Sequence, residues 1–275
     1  MDAKFQPAVE AIMSGDIDQI KALLVAQPSL ATDRSSRSHP TLLQCLVLDA
    51  KNQPNQLEMA GVLIDAGAEI DGPLIAAASI GNTAAAEALL SAGAAIDGDG
   101  EWSPLEEALY WGNQETVAML VRRAATVHNL RIAAGLGRID VVESFFAPDG
   151  SLKPEAGIMS SPFRRMHFEG GPQNLIDNAL LYACISNRID AVEYLLKRGA
   201  RINAIPPGFD YAGTALHYAA LFGHRELVDL LIERGAHLDI KDSKVNALAA
   251  GWAAHGGHQE LSDYLTRLGT ERSTT

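Results

Sequence analysis

The chain has 275 residues, with 22 Lys and Arg against 34 Asp and Glu, a net charge of −12, and 47% apolar against 20% charged residues; this is ample hydrophobic material for a globular fold without a cofactor. So acidic a balance works against a phosphate-binding surface, because counterion release rewards basic patches, and nucleic acid is not an expected partner. Two cysteines, Cys45 and Cys184, cannot build a disulfide framework or a cysteine metal cluster, and neither Met1–Gly15 nor any later segment holds the run of about eighteen apolar residues that a membrane span needs; the expectation is a cytoplasmic protein, neither exported nor embedded.

One pattern recurs along the chain: a helix of small residues, a Gly followed by a polar residue, a Val/Leu helix, then Gly-Ala. A first, weak copy spans Val9 to Gln27 around Gly15-Asp16, and a second spans Thr41 to Ala68 with extra residues near Asn52 to Gln56 in the inter-helix turn. Clearer copies follow from Pro73 to Ala94 around Gly81-Asn82, Ser103 to Ala125 around Gly112-Asn113, and Leu130 to Phe146 around Gly137-Arg138. After an interruption, Ala179 to Ala200 repeats the pattern around Asn187-Arg188, Thr214 to Ala236 around Gly223-His224, and a last copy surrounds Gly257-His258. The steps from Gly81 to Gly112, Asn187 to Gly223 and Gly223 to Gly257 are 31, 36 and 34 residues.

The residue types explain themselves physically. Ala219 and Ala220 are too small to hold neighbouring helix pairs apart. Gly223 and Gly235 end helices where a left-handed backbone is cheap only without a Cβ. Val228, Leu230 and Leu231 form a ridge that one helix pair cannot hide alone, so stacked pairs share a core. Thr214 is placed to cap the helix that follows it.

The copy Thr214-Ala215-Leu216-His217-Tyr218-Ala219-Ala220, Gly223-His224, Val228, Leu230, Leu231, Gly235-Ala236 resembles the ankyrin repeat, and its period is close to the roughly 33 residues of that family. The resemblance covers nearly the whole chain in about eight copies. It implies an all-α ankyrin-repeat solenoid, a single domain over 1–275, with a capping unit at each end and a curved concave face built from β-turn fingers and the ends of the first helices. It also implies that His217 hydrogen-bonds within its own turn and that the fold serves recognition. It is nearly silent on activity.

Departures from the repeat carry the functional information. The links from Gly67 to Ala77 and from Ala124 to Ala133 are too short for full fingers, whereas residues 147–176 form an insertion between the fifth and sixth repeats. The middle of that insertion, Phe163-Arg164-Arg165-Met166-His167-Phe168-Glu169, is apolar and basic, which reads as a flap over the concave side or as a tolerated surface loop. The link Asn203 to Gly213 is a long finger stiffened by Pro206-Pro207, presenting Phe209, Asp210 and Tyr211 or packing them as a hairpin. By the resemblance, the residues just before each Gly-polar step, among them Tyr110-Trp111, Leu221-Phe222 and His255-Gly256, face the concave side. Together with Trp102 and Trp252 they concentrate the aromatic residues there, as a recognition surface, a pocket wall or additional core.

Chemical signatures are sparse. His255-Gly256-Gly257-His258 has two imidazoles but no tightly spaced third ligand, and no metal or cofactor is expected. Gly135-Leu136-Gly137 lacks the preceding strand of a nucleotide loop, no nucleophile elbow occurs, and Cys184 on a small-residue position reads as buried and inert. The leading expectation is a monomeric recognition module that binds a protein or peptide along a groove comprising Trp102, Tyr110, Trp111, Phe209, Asp210, Tyr211, Phe222, Trp252, His255 and His167. The alternative is a small-molecule pocket or enzyme site closed by the 147–176 insertion and the 205–212 finger. There Asp210, Glu106, Glu107 or Asp242 would pair with His255 or His167 for proton transfer.

Overall fold

A computed structural model describes residues 2–36, 40–98, 103–157, 171–209 and 212–273. The described residues contain no strand, only an isolated bridge between Phe146 and Leu152. They contain eight helix pairs: α1 (Gln6–Ser14) with α2 (Ile17–Ala26), α3 (Leu42–Asp49) with α4 (Gln56–Asp65), α5 (Asp71–Ser79) with α6 (Thr83–Ser91), α7 (Pro104–Tyr110) with α8 (Gln114–Arg122), α9 (Leu130–Leu136) with α10 (Ile139–Ser144), α11 (Pro172–Ile185) with α12 (Ile189–Lys197), α13 (Ala215–Leu221) with α14 (Arg225–Glu233), and α15 (Ala249–His255) with α16 (Gln259–Ser273). The fold class read from the repeats is the fold observed. The chain forms two compact units, Met1–Thr126 with four pairs and Val127–Thr275 with the other four.

Within each unit the first helices of successive pairs pack on one another, α1 on α3, α3 on α5 and α5 on α7 in the first, α9 on α11, α11 on α13 and α13 on α15 in the second. Their contact positions are small and sealed: Ala77, Ala78, Ala133, Ala134, Ala183, Ala219, Ala220 and Ala253 have no solvent exposure. At Gly256 even a methyl group is excluded, since a Cβ there would collide with the carbonyl oxygen of Leu221. The second helices bury Leu63, Leu89, Leu120, Leu195, Val228 and Leu231 against this layer.

Two rows of hydrogen bonds tie pair to pair. At one end, the residue that starts each second helix reaches the last carbonyls of the preceding first helix: Asn55 Nδ2 donates to Gly15 O at 2.5 Å, Asn113 Nδ2 to Ala78 O at 2.8 Å and Ser79 O at 2.9 Å, Arg188 Nε to Gly135 O at 3.2 Å, and His224 Nε2 to Ile185 O at 2.9 Å. Asn55, Asn113 and Arg188 lie over the preceding glycine, so a Cβ on Gly81 would stand 2.7 Å from Asn113 Oδ1, and likewise one on Gly223 would meet the His258 ring. At the other end a side chain in one repeat accepts from the backbone of the link that follows it: Asp71 of α5 from Ala95 N (2.8 Å), Asp97 from Thr126 N (2.7 Å), Asp177 of α11 from Arg201 N (2.7 Å), and Asn203 from His237 N (2.9 Å).

The insertion is shorter than its expected 147–176 span, because α11 starts at Pro172, where a proline fits the first helical turn. Its first part doubles back through the Phe146–Leu152 bridge and a 3-10 helix, Pro154–Gly157, that buries Ala156. The expected flap centre, residues 163–169, lies outside the described residues.

Ala124 stands where the other pairs carry the glycine of Gly-Ala, and it adopts φ 63° against 98° at Gly93 and 94° at Gly235. A side chain strains that left-handed backbone. Ala124→Gly is therefore expected to raise stability by several tenths to about 1 kcal/mol, and Gly223→Ala to lower it by about 1–3 kcal/mol because strain and the His258 clash add; urea midpoints of the purified variants measure both.

Candidate functional site

In the first unit the expected residues Tyr110 and Trp111 end α7. Tyr110 is 5% exposed and meets the Trp111 ring edge-on at 5.1 Å, while Trp111 is 37% exposed. One turn earlier lies Glu107, and the Trp111 Nε1–H donates to its Oε1 at 3.0 Å. Glu107 is 6% exposed, and its Oε2 is buried without a hydrogen-bond partner. Burial pushes its carboxyl up to about 7; the Trp111 bond opposes that rise and the neighbouring Glu106 adds to it. Trp102 lies outside the described residues.

In the second unit the aromatic residues form a packed row. Tyr182 and Phe209 have ring centroids 5.6 Å apart, Phe209 and Tyr218 5.0 Å, Tyr218 and Trp252 5.1 Å, and Trp252 and His217 5.1 Å. Phe209 is 4% exposed. The stiff finger thus tucks this ring between two repeats instead of presenting it, with Asn178 Nδ2 holding the Pro207 carbonyl at 3.1 Å. Trp252 is likewise buried, its indole N–H donating to Asp242 Oδ2 at 3.0 Å. Phe222 is half-buried, its ring stacked with that of His224, and His255 is exposed. Asp210, Tyr211 and His167 lie outside the described residues.

His217 and Asp242 are occupied structurally. His217 Nδ1 accepts from the Thr214 N–H at 3.2 Å, which leaves Nε2 to donate to Ala247 O at 3.2 Å. The bond within its own turn is the one the resemblance implied, and burial holds this imidazole below its ordinary proton affinity. Asp242 accepts from Lys244 N, Val245 N and Ala247 N at 2.7–2.9 Å. Burial raises its proton affinity, but these bonds and the Trp252 indole outweigh that and hold it far below the usual carboxylate range. Asp242 therefore organises its own loop. Burial pushes the Cys45 thiol up to about 12, with Asp49 adding to it, and raises Cys184 further. No group of three or more His, Cys, Asp or Glu able to hold a metal occurs among the described residues. A cavity of about 850 Å³ at the last pair is lined by Ala236, Leu238, Leu248, Ala249 and Leu265, and one of about 560 Å³ at the first by Asp16, Asp18, Lys21 and Glu58. Neither touches an expected site residue.

Sequence reasoning placed Glu107 among the candidate carboxylates but missed its isolation. The available signal was register: the position five residues before the turn is Ala76, Ile132, Tyr182, Tyr218 or Trp252 in α5, α9, α11, α13 and α15, and the one carboxylate at the matching place in α1, Glu10, is exposed. A carboxyl whose proton affinity rises on folding costs nothing below its ordinary 4.5 and costs progressively more as pH climbs through 7. Glu107→Gln is thus expected to gain on the parent by roughly 3 kcal/mol between pH 4.5 and 8, read as the pH-dependent difference in urea midpoints.

The family model described as ankyrin repeats (3 copies) matches residues 8–131 and 130–242. The chain is 30% identical over 229 residues to the ankyrin repeat and KH domain-containing protein mask-1 of Caenorhabditis elegans, an alignment covering 72% of this chain and 8% of that protein. It is 27% identical over 276 residues to the ankyrin repeat and KH domain-containing protein CBG24701 of Caenorhabditis briggsae, over 88% of this chain and 10% of that one. The chain thus spans a tenth or less of the length of these two relatives. Among solved structures, the human ASB11 ankyrin repeat domain aligns over 94% of this chain and 97% of that chain at 21% identity and a TM-score of 0.42. No helix among the described residues is long and apolar enough to cross a membrane. With the family model covering most of its length, the chain belongs to the ankyrin repeat family.

Proposed function

We propose that the chain is a recognition module that takes a protein or peptide partner at the ends of its first helices, through Trp111 in the first unit and through Phe222 and His255 in the second. Ankyrin repeats are in general protein-protein interaction modules. The observation that carries the reading is the contrast within the aromatic set. Tyr110, Phe209 and Trp252 are sealed in packing, whereas Trp111 keeps 37% of its surface in water at the cost of leaving a large ring partly hydrated. Exposed indoles and phenyl rings on a rigid helical frame lose little entropy when covered, which suits them as anchors.

The double variant Trp111→Ala, Phe222→Ala is expected to lose at least tenfold in partner capture by the tagged protein from cell extract, with the melting temperature shifted by less than about 3 °C. Equal losses of capture and stability would make both residues core and sink the proposal. Trp252→Ala, by contrast, is expected to cost about 3–5 kcal/mol of stability, measured by urea unfolding.

A further inference from the structure

Glu107 is out of place. The equivalent positions on α5, α9, α11, α13 and α15 carry Ala76, Ile132, Tyr182, Tyr218 and Trp252, each under a tenth exposed and none of them charged at neutral pH. A carboxylate in that position loses its hydration, and its acceptor capacity is used once, by the Trp111 indole at 3.0 Å, with Oε2 buried and unpartnered. The charged group acting on it is Glu106, which has the same sign. Of the helices packed against α7 in this unit, α5 brings Asp71, which accepts from Ala95 N, and α8 brings Glu115 and Arg122, both exposed. The group over this buried carboxyl is the Trp111 indole, which itself keeps 37% of its surface in water.

The geometry points to Glu107 and Trp111 as a seat for an arginine side chain of the partner: we propose that the indole swings off the carboxylate and stacks on a guanidinium, which then donates to both Glu107 oxygens. A guanidinium fits because it is planar, always charged, weakly hydrated and forked to match a carboxylate, and because it stacks on an indole face. The net charge of −12 favours a basic partner in the same sense. This proposal rests on the recognition reading and gives it a partner chemistry. It also couples binding to proton release, since the seat accepts a cation only when Glu107 is ionised.

The test is a nitrogen-15 NMR titration of the full chain with N-acetyl-arginine N-methylamide. Trp102, Trp111 and Trp252 give three indole signals, and Trp111→Phe identifies the second. The Trp111 signal is expected to shift saturably with the arginine amide and not with its uncharged citrulline counterpart. With a carboxyl that titrates near 7, the affinity should be about tenfold higher at pH 8 than at pH 6. Glu107→Gln, a neutral isostere whose folding is checked by its melting curve, should abolish the shift. No arginine response at pH 8, an equal response to citrulline, or an undiminished response in Glu107→Gln would overturn the seat. A partner lost with Trp111→Ala, Phe222→Ala but held equally by Glu107→Gln would also overturn it, while leaving the recognition reading intact.

Discussion

Within each unit the structure depends on side-chain hydrogen bonds passed backward from one helix pair to the pair before it. Asn55, Asn113, Arg188 and His224 each start a second helix and each reach a carbonyl at the end of the preceding first helix. Those carbonyls are the acceptors a helix leaves unsatisfied at its C-terminus. One contact therefore caps a helix, fixes the spacing to its neighbour and demands a residue without a side chain beneath it. Where the turn holds a glycine it answers two needs together: it supplies the left-handed bend, at φ 65° in Gly81 and 70° in Gly223, and it leaves the floor on which Asn113 or His258 rests.

The architecture was legible because its causes are local and repeated. Alanines on one helix face, a glycine at a fixed offset and an apolar ridge recur at nearly constant spacing, and all eight pairs stand where those residues put them. The polar residue after the glycine was visible as part of the pattern, but its bond partner lies some 35 residues away, and nothing in one repeat announces it. The insertion shows the same limit from the other side. Pro172 at the first turn of α11 moved the helix start ahead of the apolar residues from which the boundary was judged.

The site was less legible, because exposure is decided by neighbours distant in sequence. Phe209 beside two prolines has the composition of a presented tip, yet the gap between Tyr182 and Tyr218 is the size of a phenyl ring and takes it in. Asp242 looked available to a histidine until three backbone donors and an indole converged on it. Trp111 and Glu107, four residues apart on one helix, were both named from sequence, but that one covers the other and leaves an oxygen without a donor is a property of packing alone.

The backward direction of the clamp gives the chain a temporal order. During synthesis each newly made first helix emerges with its terminal carbonyls still hydrated, which costs little while water is present, and is finished only when its successor leaves the ribosome and supplies the amide, guanidinium or imidazole. Assembly by addition to a waiting end follows. The long helix Gln259–Ser273 lays Leu261 and Leu265 into the interior and joins Tyr264 to Asp229 of the preceding pair, so the last pair described is held to its predecessor by packing.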